Sequence, residues 1–447
     1  MYQAYITTIK NLRPHPNADR LDLGECFGNT VCVGRFDFAE GDLVVYFPVD
    51  GQLSEEFCAQ HNLVRRKDDA GNNVGGYLDP AKRNIKAISL RGEKSDGLVM
   101  PLKSLEYTGV DIHSLEVGFC FTAVNGKEIC CKYIPRRSNR AAAGGANRTR
   151  KKKVPTAPLF VEHADTEQLA YNLSAFRPGD EIEITLKMHG TSQRTGYLPV
   201  LQGYRRTIWD RLFRREGEPI YDYGYVSGTR RTVLEDFDGG YYGSNEFRET
   251  HSKQFEGKLW KGETVYYEVV GFTTSGAPIM GDGSNEKLGK DFVKQYGKTT
   301  RFSYGCVPVV SIDCDDLQSD CYVYRMTMTN PDGQVVEYTP DFMRYRCEQM
   351  GVKCVPVFDK FTIATNAVAR AYQEPGDYVK ERAERYYDGP DPVGKTHVRE
   401  GVVVRIVNRP KFTAFKHKNF AFKVIEGIIK DTAEAPDMEE AQEEEKK

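Results

Sequence analysis

Glu181-Ile182-Glu183-Ile184-Thr185-Leu186 alternates polar and apolar residues with a period of two, and Lys187 closes the run. Such alternation marks a strand with one buried face, so Lys187 is expected at a strand end. The runs 264–270, 334–338 and 401–406 read as strands too. Asn330-Pro331-Asp332-Gly333 has the Pro and Gly of a tight turn and predicts a hairpin. The charged stretch 378–387 predicts a helix, and 420–429 begins a last one.

The first part of the chain has a different texture. Short runs such as Thr30-Val31-Cys32-Val33-Gly34 and Asp42-Leu43-Val44-Val45-Tyr46-Phe47 are separated by Gly, Asp and Pro. This spacing predicts a β-rich, barrel-like module over 1–134. Within it, 82–91 and then Ser95-Asp96-Gly97-Leu98 read as a basic, partly apolar strand pair. Residues 135–158 are small, Gly-containing and basic, so they cannot bury a core and predict a linker. A mixed α+β domain is expected over 159–430, and a disordered acidic tail over 431–447. No internal repeat is visible.

Composition narrows the picture. A chain of 447 residues, 40% of them hydrophobic, is expected to form two or three domains with ordinary cores. No apolar run is long enough to span a bilayer, and Met1-Tyr2-Gln3-Ala4-Tyr5-Ile6 is not a signal peptide, so no membrane partner is expected. Eleven cysteines without a Cys-x-x-Cys pair give zinc little support. Reduced thiols and a cytoplasmic, monomeric protein are expected, with Cys130 and Cys131 as ordinary strand residues. The net charge of −2 hides two blocks, a basic one over 136–153 and an acidic one over 434–445. The basic block fits a solvated tether, a phosphate-binding arm or a nuclear localisation signal.

Lys187-Met188-His189-Gly190-Thr191 is followed in order by Glu268 in Tyr266-Tyr267-Glu268-Val269-Val270-Gly271, by Glu400 in Glu400-Gly401-Val402-Val403-Val404-Arg405, and by Lys416 and Lys418. Together these suit nucleotidyl transfer from ATP. A lysine amine, ordinarily protonated with a pKa of about 10.4, must lose its proton to attack phosphorus. Nearby positive charge favours that loss, and Lys416 and Lys418 would supply it while offsetting phosphate charge. Glu268 and Glu400 are hard oxygen ligands for Mg²⁺ or Mn²⁺. Gly190 would let the backbone turn closely beneath a nucleotide. A competing pattern, Gly389-Pro390-Asp391-Pro392-Val393-Gly394-Lys395-Thr396, matches the phosphate-loop consensus. It follows a charged helix and precedes a strand, and its two prolines lack amides, so a phosphate loop is not expected.

These motifs resemble those of ATP-dependent RNA ligases. Lys187-Met188-His189-Gly190-Thr191-Ser192 is similar to the nucleophile motif, with His where DNA ligases have Asp. Ser227-Gly228-Thr229-Arg230-Arg231 resembles the basic motif, and Tyr322-Val323-Tyr324-Arg325 the aromatic one. The resemblance covers about 160–427. The front module resembles the OB-like domain that one subgroup of RNA ligases carries. His15-Pro16-Asn17-Ala18-Asp19-Arg20-Leu21 is similar to the entry loop of tRNA-binding OB modules, though it also reads as a turn before a strand. The implied fold is an N-terminal OB-like β-barrel followed by a mixed antiparallel-sheet nucleotidyltransferase domain.

The implied activity joins 3′-hydroxyl and 5′-phosphate RNA ends, in a nicked duplex or a broken RNA, through lysyl-AMP on Lys187. By matched position, Glu268 and Glu400 would serve metal and ribose, Lys416 and Lys418 the α-phosphate, and Tyr324 the adenine. His189 would bridge the polar network, and Arg230 or Arg231 would reach ribose or phosphate. Leu186 stands where many relatives have an acid, which loosens the expected base selectivity. Ser192 stands where DNA ligases usually keep Arg, which weakens a DNA-ligase reading. Arg405 could pair with an acid on its own sheet. A non-catalytic RNA-binding protein and an RNA-capping or adenylylating nucleotidyltransferase are the alternatives.

Overall fold

The computed structural model describes residues 2–71, 73–134, 156–213, 217–234, 237, 244–310, 315–364 and 374–432. Most of the expected linker, 135–158, and nearly all of the expected tail, 431–447, lie outside them. Contacts divide the chain into two compact units.

The first unit holds Met1–Arg136, Gly283–Thr300 and Asn419–Ala433. A four-stranded sheet runs in the order Leu98–Pro101, Leu43–Phe47, Ala4–Thr8, Cys120–Phe121. Beside it in this unit is a three-stranded meander of Lys10–Pro14, Leu21–Cys26 and Asn29–Gly34. The last two strands close on Phe27 (φ 53°) and Gly28 (φ 74°), the positive pair that matches a two-residue turn to strand twist. Ile6, Val45, Phe47, Leu53, Phe57 and Phe121 are buried together in the core.

The expected strand pair appears as Ala87–Leu90 with Glu93–Asp96, and Leu98 begins a separate strand. The His15 segment is a structural turn. His15 is buried, its Nδ1 accepts from the Asn17 amide at 3.0 Å, and its Nε2 donates to the Leu90 carbonyl at 3.0 Å.

The chain cut differs from the expected 159–430. Phe420–Thr432 and Gly283–Ser284, the latter paired with Thr299–Thr300, group with the first unit. The helix is apolar through buried Phe422, Val424, Ile425 and Ile429. Gly283 lies against it so closely that a Cβ there would meet Ile425 at 2.2 Å. Lys423 Nζ pairs with the buried Asp96 carboxylate at 2.5 Å.

The second unit is built on two sheets. One has the order Glu167–Gln168, Thr413–Lys418, Gly401–Ile406, Glu181–Lys187, Val357–Thr362. The other is larger, with Val233–Leu234, Glu218–Gly228, Thr191–Arg205, Glu263–Gly271, Ser319–Thr329 and Val335–Glu337 in that order, and Lys353–Cys354 beside Ser319–Thr329. Pairing is antiparallel except at Glu167–Gln168 and Lys353–Cys354. The expected turn at Asn330–Gly333 forms, closed by the Gly333 amide on the Asn330 carbonyl at 3.0 Å. Ile182, Ile184, Val402, Val404 and Ile406 bury one face of the smaller sheet. Each such side chain contributes roughly 1.5–3 kcal/mol. Period two then sends Glu183, Thr185 and Lys187 to the opposite face. No disulfide forms among the described cysteines.

Candidate active site

Lys187 ends a strand of the smaller sheet and Thr191 begins the longest strand of the larger one, so Met188-His189-Gly190 carries the chain between sheets. The connector is tightly held. The His189 amide donates to the Tyr304 hydroxyl at 2.6 Å, and the Gly190 amide to Glu268 Oε1 at 3.1 Å. A Cβ on Gly190 would meet the Val269 carbonyl oxygen at 2.4 Å. The neighbouring strand by itself thus leaves room only for glycine here. His189 meets Phe302 edge-on at 4.6 Å.

Register assembles the charged row. Lys187 lies opposite Gly401, and Gly401 opposite Lys418. A Cβ on Gly401 would meet the His417 carbonyl oxygen at 2.1 Å, so the middle of the row carries no side chain. Lys187 Nζ reaches Glu400 Oε1 at 2.8 Å, and Lys418 Nζ reaches the same oxygen at 3.5 Å. Glu400 is only 2% exposed, while the Lys187 side chain keeps 23% exposure. Glu400 Oε2 has no hydrogen-bond partner, and His189 Nδ1 stands 3.8 Å from it. Lys416 falls one row further along, opposite Val403 and in line with Thr185.

A cleft of about 900 Å³, counting its open mouth, covers this face. Lys187, Arg230, Glu268 and Tyr324 line it. So do His163, Glu183, Ser192, Arg344, Arg405 and Phe412, which sequence reasoning did not place there. Glu183 and Arg405 were legible in principle, since period two puts them on the faces of Lys187 and Gly401. His163 and Phe412 carried no signal.

Tyr324 sits in a bulge of Ser319–Thr329, opposite no partner between the pairs Tyr267–Val323 and Tyr266–Arg325. Its hydroxyl is 2.8 Å from Ser192 Oγ, and its ring meets His163 edge-on at 5.0 Å. Burial and the surrounding guanidinium groups, Arg325 foremost, hold the His163 imidazole well below its usual pKa, so it is neutral. Arg325 Nη1 is 3.1 Å from His163 Nδ1, and its Nε reaches both Glu337 oxygens at 3.0 and 3.1 Å. Arg405 donates to the Tyr338 carbonyl at 2.9 Å and has two acidic neighbours, Glu337 of the other sheet at 3.9 Å and Glu183 opposite it in register on its own sheet. Arg230 and Arg231 both pair with Asp165, at 2.6 and 2.9 Å, but Arg230 is the one that lines the cleft.

Among the described residues no group of three or more His, Cys, Asp or Glu side chains is gathered to hold a metal. The donors present still suit a hard divalent ion. Glu400 keeps a buried oxygen without a hydrogen bond, Glu268 faces the cleft, and phosphate and water oxygens would complete the shell.

The phosphate-loop lookalike is excluded by its own bonds. Asp391 Oδ1 accepts from the Val393 and Gly394 amides at 2.8 and 2.9 Å, so donors that would cradle phosphate are taken. A Cβ on Gly394 would lie 2.2 Å from His397 Nε2.

A family model described as an OB-fold domain matches residues 3–102. No curated protein matches the chain. Among solved structures, the Naegleria gruberi RNA ligase with PPi has a TM-score of 0.53 and 18% identity over 94% of this chain and 97% of that one. A lysine-to-alanine mutant of that ligase with ATP and Mn gives 0.53 and 17%, covering 94% and 98%. A lysine-to-methionine mutant with AMP and Mn gives 0.54 and 16%, covering 94% and 97%. At these identities the likeness is one of fold. The chain is an α+β protein with an N-terminal OB-fold domain and mixed sheets of the RNA-ligase kind. Among the described residues no helix is long and apolar enough to cross a membrane.

Proposed function

We propose that the chain is an ATP-dependent RNA ligase that seals 3′-hydroxyl to 5′-phosphate ends, in a nicked duplex or a broken RNA, and so serves RNA repair. The main support is the row Lys187–Gly401–Lys418 beside buried Glu400, with Lys187 also lining the cleft. The fold likeness to an RNA ligase agrees with it.

Lys187 Nζ attacks the α-phosphorus of ATP, forming a P–N bond as the α–β phosphoanhydride breaks and pyrophosphate leaves. Glu400 Oε1, at 2.8 Å, is placed to take the ammonium proton. Lys418, with Lys416 a row away, offsets charge on the α-phosphate. Tyr324, steadied by Ser192 and flanked by His163, offers a ring face for adenine. Arg230, held by Asp165, reaches for ribose or phosphate. Glu268 and Glu400 would hold Mg²⁺ or Mn²⁺, which when bound lends positive charge at the phosphates.

A 5′-phosphate oxygen of RNA then takes AMP from Lys187, breaking the P–N bond. A 3′-oxygen attacks that activated phosphorus, and AMP departs. The test is ³²P transfer from α-labelled ATP in Mg²⁺ or Mn²⁺, followed by a nicked RNA duplex. Wild type is expected to label and seal, and Lys187→Ala to do neither. Full labelling of Lys187→Ala removes the nucleophile. An adenylylated end that accumulates unsealed points instead to a capping or adenylylating enzyme.

A further inference from the structure

Helix Pro340–Met350 ends on Gly351, which takes the left-handed conformation (φ 68°) and turns the chain back. The Gly351 amide donates to the Glu348 carbonyl at 3.1 Å, and the Val352 amide to the Cys347 carbonyl at 3.0 Å. Lys353–Cys354 then runs beside Ser319–Thr329, with Cys354 opposite Val323. The Val355 amide fixes that register on the Val323 carbonyl at 3.0 Å. The reversal returns Cys354 to Cys347 within one apolar core, where the two thiols interact directly.

The two sulfurs are not equivalent. Cys347 is only 1% exposed, whereas Cys354 is half-buried and reachable from solvent. Burial pushes the thiols of Cys26, Cys130, Cys306 and Cys321 up to about 12. Cys354 goes the other way. The Cys347 thiol, and after it the Arg344 guanidinium, outweigh burial and hold its pKa below the usual value. The same contact, with burial, pushes Cys347 up. One sulfur is thus prepared to attack, and the other stays a thiol until it is needed. Met343 and Arg344 of the helix and Val355 after the strand line the cleft. Arg344 also pairs with Glu183 at 2.7 Å, on the strand that ends in Lys187.

We propose that Cys347 and Cys354 are a reversible oxidation site, closed by a small-molecule disulfide into a staple along this wall of the cleft. The Cys354 thiolate attacks one sulfur of that disulfide, whose S–S bond breaks as the other half leaves as a thiolate. Cys347 then attacks the Cys354 sulfur, and its proton passes to the second departing thiolate. Two cysteines are oxidised to one disulfide while the small disulfide is reduced to two thiols. The new bond closes an eight-residue loop, 347 to 354, between two elements that line the cleft.

The test treats the full chain with oxidised glutathione and maps its peptides by mass. ATP is absent, so the outcome is independent of the ligase reading. Wild type should lose about 2 Da, the two hydrogens released, in a Cys347–Cys354 cross-link that dithiothreitol reverses. Amide exchange at Gly351 and Val352 should slow on oxidation, because the turn can no longer open by itself. Cys347→Ser should stall with glutathione held on Cys354, and Cys354→Ser should leave Cys347 unmodified. The proposal is overturned if wild-type Cys354 stays unreacted or keeps its glutathione. A cross-link that joins Cys321 instead, or that forms only in urea, overturns it too. Unchanged exchange at Gly351 and Val352 removes the staple.

Discussion

Glu263 and Glu400 are both buried in the second unit, yet their surroundings are opposite. Glu263, fully buried, accepts from Tyr338 at 2.9 Å, from Arg346 Nε and Nη2 at 2.9 and 2.8 Å, and from the Trp260 amide at 2.8 Å. Arg346 is itself flattened on the Trp260 ring at 3.9 Å. Every lone-pair direction has a fixed partner. Glu400 meets two lysines through one oxygen and leaves the other without a hydrogen bond. Taking a carboxylate out of water costs several kcal/mol unless the protein replaces what water gave. A region that replaces all of it is building structure, whereas one that stops halfway holds capacity for a ligand.

The largest effect should come from breaking the saturated region. Glu263→Gln strips the counter-charge from buried Arg346 and is expected to cost about 3–5 kcal/mol, read as a lowered urea midpoint. Next, Glu400→Gln should leave that midpoint nearly unchanged while cutting ATP labelling about 10²–10³-fold, as removal of one preorganised polar group does. Equal destabilisation by both variants would erase the contrast.

His251 offers a third case, a satisfied buried base. Its ring lies 2.9 Å from Ser319 Oγ and 3.3 Å from Gln254 Nε2, and burial lowers its pKa from 6.5 to about 4. The unfolded chain therefore binds the extra proton first as acid is added. Stability present above pH ~6.5 should fall as the pH drops toward ~4, by about 3 kcal/mol at 1.36 kcal/mol per pKa unit. His251→Asn should flatten urea midpoints over that window; an unchanged slope would rule the residue out.

The smallest change is Ser192→Ala, which removes one neutral hydrogen bond to Tyr324. A loss of about 1 kcal/mol predicts a few-fold rise in KM for ATP with stability intact.

The strand face around Lys187 was legible because alternation fixes sidedness, and sidedness fixes the cleft floor. Glu268 and Lys418 were legible for the same reason, since each sits on a run that pairs in register with its neighbour, and Glu400 stands one residue ahead of such a run. What escaped depends on chain crossings that no local pattern records. Tyr304 lies 115 residues from His189 and fixes its amide from a loop. His163 and Phe412 come from irregular segments and meet at 5.5 Å only after folding. His15 shows the reverse case, a suggestive residue whose two ring nitrogens are spent inside its own turn and on Leu90.

The helix Phe420–Thr432 begins two residues after Lys418, yet its contacts belong to the unit that opens the chain. No single cut in the gene therefore yields either half intact. A clone starting near residue 158 would express the helix and the Gly283–Thr300 strap stripped of the surface that hides Phe422 and Ile425, and greasy, poorly behaved protein is the expected harvest. Any lineage that lost the leading domain would have to rewrite its own C-terminus as well, which ties the two halves together as one heritable piece.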